Sequence, residues 1–125
     1  MARILVIEDD QITRELIELY LRREGHEVES MEDGQAALDR ALAAPPELVI
    51  SDLNLPGLGG FAILSALRAD ARTAGVKVVL MSASFEPGQA VPPGAQAADA
   101  IMSKHIRSAD LMATVRRALG ASPGT

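Results

Sequence analysis

Apolar and polar positions alternate along this chain with two different periods. Residues 3–8, Arg-Ile-Leu-Val-Ile-Glu, form a short apolar run rich in β-branched side chains, the pattern of a buried strand. After Glu8, Asp9 and Asp10, apolar residues recur at Ile12, Leu16, Ile17, Leu19, Tyr20 and Leu21. That is helical spacing, and Gly25 stands where a helix-terminating glycine belongs. Residues 26–31 predict a second, more polar strand near a sheet edge, and residues 31–44 a second helix stopped by Pro45 and Pro46. The apolar run 47–51 predicts a third strand that ends at Asp52. Residues 60–72 then predict a helix and residues 76–83 a strongly apolar fourth strand.

The rhythm breaks over residues 84–98, which hold Pro87, Gly88, Pro92, Pro93 and Gly94. Pro92 and Pro93 lack amide donors and restrict the residues before them, so at most a turn or two of helix is expected there. A short fifth strand over 99–104 and an amphipathic helix over 108–120 close the pattern. Residues 1–120 thus read as one domain, and 121–125 as a flexible tail or the start of a linker. Strands alternating with helices call for an α/β fold, a doubly wound parallel sheet with helices on both faces.

Composition removes several function classes. With no cysteine there is no disulfide frame, zinc-thiolate cluster or thiol nucleophile, which fits a reducing, cytoplasmic setting. No apolar run approaches a membrane span. The net charge of −5 argues against nucleic-acid binding by this chain alone.

In a parallel sheet, ligands sit beyond the carboxyl ends of the strands. At those ends stand Glu8, Asp9 and Asp10 after the first strand, Asp52 after the third, Ser82 after the fourth and Lys104 after the fifth. Taken singly, each has an ordinary explanation. Asp52 suits a turn, the Glu8–Asp10 run suits helix capping, Ser82 suits a strand end and Lys104 a solvated surface. Together they bring carboxylates, a hydroxyl and an ammonium to one edge. Clustered carboxylates repel one another unless a cation compensates, and a hard divalent ion such as Mg²⁺ does so. Asp52 could then attack a phosphoryl group, with Lys104 and the metal neutralising its oxygens and Ser82 donating to one of them.

These stretches resemble the receiver domain of two-component response regulators over essentially residues 1–120. The resemblance is carried by Ile-Leu-Val-Ile-Glu-Asp-Asp at 4–10, Glu-Asp-Gly-Gln-Ala-Ala-Leu at 32–38 and Asp-Leu-Asn-Leu-Pro-Gly-Leu-Gly-Gly at 52–60. Val-Val-Leu-Met-Ser-Ala at 78–83 and Ala-Asp-Ala-Ile-Met-Ser-Lys at 98–104 complete it. It implies a flavodoxin-like five-stranded parallel sheet in the order 2-1-3-4-5 with flanking helices, the fourth of them here short or irregular. It also implies Asp52 as phosphoacceptor, Lys104 and Ser82 as phosphoryl-binding partners, and Mg²⁺ (or Mn²⁺) as cofactor. Asp9 and Asp52 would ligate the metal directly, Glu8 through a water and Asn54 through its backbone carbonyl, with Asp10 outside that shell. The implied donor is a phosphohistidine on a sensor histidine kinase or phosphotransfer protein, and the signal passes to a downstream output domain or protein. Self-phosphotransfer with slow autodephosphorylation is implied, rather than enzymatic turnover.

Three departures touch the signalling face. His105 replaces the proline that usually follows the lysine, so a trans Lys104–His105 bond is expected. Ile101 stands at the position of the family's switching aromatic ring, which normally swings inward as the strand-four hydroxyl moves to the phosphate. Residues 84–98 carry the prolines and glycines noted above. Intact acceptor chemistry with an atypical output face is the expectation. The rivals are a phosphorylation-independent pseudo-receiver acting as an interaction module and, more remotely, a haloacid-type phosphatase or a Toprim-type nuclease.

Overall fold

Every strand of the sheet runs parallel to its neighbours, in the order β2-β1-β3-β4-β5. The computed structural model describes residues 2–85, 90, 92, 94–104 and 107–120. Its strands are β1 (Arg3–Ile7), β2 (Glu27–Met31), β3 (Leu48–Asp52), β4 (Lys77–Ser82) and β5 (Ala100–Ser103). The helices are α1 (Gln11–Arg23), α2 (Gly34–Ala43), α3 (Gly60–Ala69) and α4 (Ser108–Ala118). The predicted doubly wound, flavodoxin-like arrangement is therefore what the chain adopts. The polar strand β2 lies at an edge and β3, buried at every position, lies in the centre.

Alternation along the strands divides the core in two. Ile4, Val6, Ile50, Val79 and Met81 face α1 and α4, where Ile17, Leu21, Leu111 and Val115 meet them. Leu5, Ile7, Val49, Val78 and Leu80 face α2 and α3, against Ala37, Leu38, Ile63, Leu64 and Leu67. Helix α1 leaves Ile12, Leu16 and Leu19 exposed on its outer side.

Two helix boundaries differ from the sequence expectation by three residues. Met31 pairs with Ile7 in the sheet, and α2 begins only at Gly34 because the Asp33 carboxylate accepts the Ala36 amide at 2.8 Å. Helix α3 stops at Ala69, where Asp70 accepts the Arg72 amide at 2.8 Å and the buried Thr73 hydroxyl donates to the Leu67 carbonyl at 2.7 Å. The described residues of 84–98 form turns and no helix, with Ala95 N–H on the Pro92 carbonyl and Ala98 N–H on that of Ala95. The tail at 121–125 and the Lys104–His105 bond lie outside the described residues. Among the described residues no helix is long and apolar enough to cross a membrane.

Candidate functional site

The register of the sheet delivers the strand ends to one edge. Asp52 is the last residue of β3 and pairs with Met81, one residue before Ser82 at the end of β4. Leu53 N–H continues the ladder to the Met81 carbonyl at 2.8 Å, and Lys104 N–H donates to the Ser82 carbonyl at 3.1 Å. Strand β1 pairs with β3 up to Ser51 and β4 pairs with Asp52 itself, so the carboxylate stands at the strand tips.

The start of α3 presses directly on this carboxylate's backbone. A Cβ at Gly60 would lie 2.7 Å from the Asp52 carbonyl oxygen, so only glycine permits the approach. Likewise a Cβ at Gly34 would run into the Leu58 carbonyl, which seats the start of α2 against the loop following Asp52.

At the tip, Asp52 is 3% exposed. Its Oδ1 accepts the Asn54 amide at 3.2 Å and its Oδ2 accepts Lys104 Nζ at 3.1 Å. Lys104 also forms an ion pair with Glu8 Oε1. The Glu8 side chain is fully buried, and neither of its oxygens accepts a hydrogen bond of good geometry among the described residues. Burial pushes the Glu8 carboxyl up from 4.5 to about 7. Lys104 opposes that shift and Asp52 reinforces it. Burial alone would depress Lys104, but the adjoining carboxylates of Glu8 and Asp52 outweigh it and raise its pKa. The ammonium is therefore fully charged at neutral pH.

One oxygen each from Glu8, Asp9 and Asp52 lies within 4.8 Å of the others. Glu8 and Asp52 are buried and Asp9 is exposed, so the cluster opens to solvent on one side. This oxygen-only donor set, in which the buried Glu8 oxygens accept no well-formed hydrogen bond, fits a hard divalent cation such as Mg²⁺. Asn54 lies two residues past Asp52 and is exposed. Asp10 takes no part: it caps α1, accepting the Thr13 amide at 2.9 Å and the Thr13 hydroxyl at 2.6 Å.

Ser82 is buried, and its hydroxyl is engaged by a residue the sequence did not single out. Its Oγ accepts the Ser84 amide at 3.2 Å and lies 3.1 Å from Ser84 Oγ. Ile101 is half-buried against the α2–α3 side of the core. Arg14 was also not foreseen. Its guanidinium donates to the Glu8 carbonyl at 3.0 Å and sits 3.8 Å from Glu32, bracing the corner from which Glu8 and Asp9 project. Beside the cluster, Leu53, Asn54, Phe61, Ser82, Ser84, Phe85 and Pro92 line an open cavity of about 260 Å³.

Comparison with known proteins agrees with this geometry. Residues 4–116 match the family described as the response regulator receiver domain. The DNA-binding response regulator MtrA of Mycolicibacterium smegmatis is 35% identical over 117 residues, which are 94% of this chain and 50% of that protein. The chain thus spans about half the length of the curated relatives it matches. Among solved structures, the receiver domain of sensor histidine kinase PA1611 from Pseudomonas aeruginosa, with a magnesium ion in its active-site cleft, superposes with a TM-score of 0.85. It is 26% identical, over 95% of this chain and 98% of that one. A chain from the complex of histidine kinase ThkA with response regulator TrrA gives a TM-score of 0.84 at 29% identity, over 95% and 99% of the two chains.

Proposed function

Because this chain belongs to the receiver domain family of two-component response regulators, we propose that it accepts a phosphoryl group from a phosphohistidine donor onto Asp52. In that transfer a carboxylate oxygen of Asp52 forms a bond to phosphorus as the phosphorus–nitrogen bond breaks, and the imidazole nitrogen keeps the electron pair. Lys104 holds its positive charge against Asp52 Oδ2 and so faces charge carried by the phosphoryl oxygens. Ser82 is the hydroxyl donor for one of those oxygens. Glu8, Asp9 and Asp52 would hold Mg²⁺ (or Mn²⁺), with the Asn54 carbonyl as a further ligand, and the ion supplies charge neutralisation.

One observation carries this reading: a buried carboxylate at a strand tip touches an ammonium and lies within a cluster of three carboxylates. A sensor histidine kinase or phosphotransfer protein is the donor by analogy with the ThkA–TrrA complex. A downstream output domain or protein is the receiver of the signal, in line with relatives twice this length. An atypical output face is supported by Ile101, by the turn structure of the described residues in 84–98 and by the exposed Ile12, Leu16 and Leu19 of α1.

The test is intact-mass analysis after incubation with Mg²⁺ and a small phosphodonor. A phosphoryl-sized adduct is expected on the wild type and absent from Asp52→Asn and from a metal-free control. A folded, Mg²⁺-binding wild type that forms no adduct would instead be a pseudo-receiver, an interaction module that does not use its acidic site.

A further inference from the structure

We propose that Ser84 is a positioning residue that latches the Ser82 hydroxyl in the resting protein, and that release of this latch moves Phe85 into the cavity beside Phe61. The inference rests on the acceptor role of Asp52 but assigns the switching ring to a position the family pattern does not supply. At the family's aromatic position stands Ile101, which has no ring to swing.

Ser84 engages Ser82 twice, through its amide and through its hydroxyl, and Ser82 Oγ has no other partner among the described residues. Either hydroxyl can be the donor in that pair; where Ser82 donates, turning its proton to a phosphoryl oxygen on Asp52 gives up the bond to the Ser84 hydroxyl. Ser84 is followed at once by Phe85, so a change in the 83–85 turn is transmitted to the ring. Phe85 is half-buried and lines the 260 Å³ cavity together with Ser82, Ser84, Phe61 and Pro92. That 260 Å³ space is large against the roughly 30 Å³ that one water occupies in the liquid.

The opposite wall is Phe61, on the first turn of α3 and partly exposed; Gly94, at φ +94°, lies against its ring, where a Cβ would make ordinary van der Waals contact at 3.4 Å. Phe85 is the ring that the 83–85 turn carries. A moved Phe85 would bring together two aromatic rings and Pro92, an apolar contact that the phosphorylated arrangement would gain.

Phe61 and Phe85 are the only two phenylalanines in the chain, which makes the test direct. The protein is labelled with fluorophenylalanine, the two signals are assigned with Phe61→Leu, and ¹⁹F spectra are recorded with Mg²⁺ before and after adding beryllofluoride. The bound fluoroberyllate has its own ¹⁹F signal, so one spectrum reads both adduct formation and ring movement. The expected result is a bound-adduct signal, a large shift of Phe85 and a small one of Phe61. Ser84→Ala, which deletes one hydrogen bond of the latch, should move the resting Phe85 signal toward the adduct position by a population change on the order of five-fold. Ser84→Thr, which keeps the hydroxyl, should restore the wild-type position. An adduct signal with an unmoved Phe85, or a Ser84→Ala spectrum identical to wild type, would overturn the proposal. If no adduct signal appears, the acceptor reading itself falls, while the latch is still decided by comparing Ser84→Ala with Ser84→Thr in the resting protein.

Discussion

At the scale of single residues, the site turns on one ammonium shared by two buried carboxylates. Lys104 touches Asp52 and Glu8, both nearly or fully inaccessible to solvent. Removing one partner of such a group leaves charge buried without compensation, which costs about 3–5 kcal/mol. Lys104→Met is therefore expected to lower the metal-free urea midpoint strongly at neutral pH. Added Mg²⁺ should recover much of the loss by supplying the missing positive charge. An unchanged midpoint in the metal-free variant would mean the carboxylates tolerate one another without the lysine. Asp52, Glu8, Asp9, Ser82 and Lys104 were legible in the sequence because each marks the end of an apolar strand, and strand ends meet in a parallel sheet. Arg14 was not, since α1 carries Arg14, Arg22 and Arg23 and periodicity does not tell which guanidinium turns toward a loop carbonyl. Ser84 was missed for a similar reason: its bond to Ser82 depends on the shape of a turn, which no hydrophobic pattern encodes.

At the scale of elements, hydrophobic period predicted which segments are helices and strands, while side-chain capping decided where they end. Asp33 sets the start of α2 three residues later than the apolar pattern did, and Asp70 with Thr73 closes α3 before the pattern runs out. Two substitutions separate capping from site geometry. Asp33→Ala removes a cap and should cost about 1 kcal/mol of stability with unchanged Mg²⁺ affinity. Gly60→Ala places a methyl 2.7 Å from the Asp52 carbonyl oxygen, and overpacking of this kind costs about 1–3 kcal/mol. Because α3 or the end of β3 must shift to admit it, Mg²⁺ affinity should fall as well. Chemical denaturation and calorimetric Mg²⁺ titration of both variants check the contrast. Equal affinities would show that the α3–β3 contact supports the fold without setting the position of the acceptor.

At the scale of the whole molecule, the site opposes the stability of the fold that builds it. Two hydrophobic layers clamp a central strand whose tip carries a carboxylate, beside a second carboxylate that burial drives toward its neutral form. Glu8 titrates near 7 when folded against 4.5 as its ordinary value, so the native state binds its proton more tightly than the unfolded chain does. The sign follows from linkage. The stabilisation is fully present below the unfolded value, and it is lost as pH rises through the folded one. Across that window the metal-free protein should lose on the order of 3 kcal/mol from this group. Glu8→Gln, which has no proton to lose, should show a flatter stability profile between about pH 5 and pH 8 when compared with wild type in chelator. Mg²⁺ should reverse the trend, because a cation binds the ionised carboxylates and is excluded by the protonated one. The gain in melting temperature at saturating Mg²⁺ is thus expected to be larger at the upper end of that range than at the lower, and the difference should shrink in Glu8→Gln. A wild-type protein whose metal-free stability and Mg²⁺ response were both flat over this range would show that Glu8 does not carry the titration. The acidic edge would then owe its tolerance to Lys104 alone.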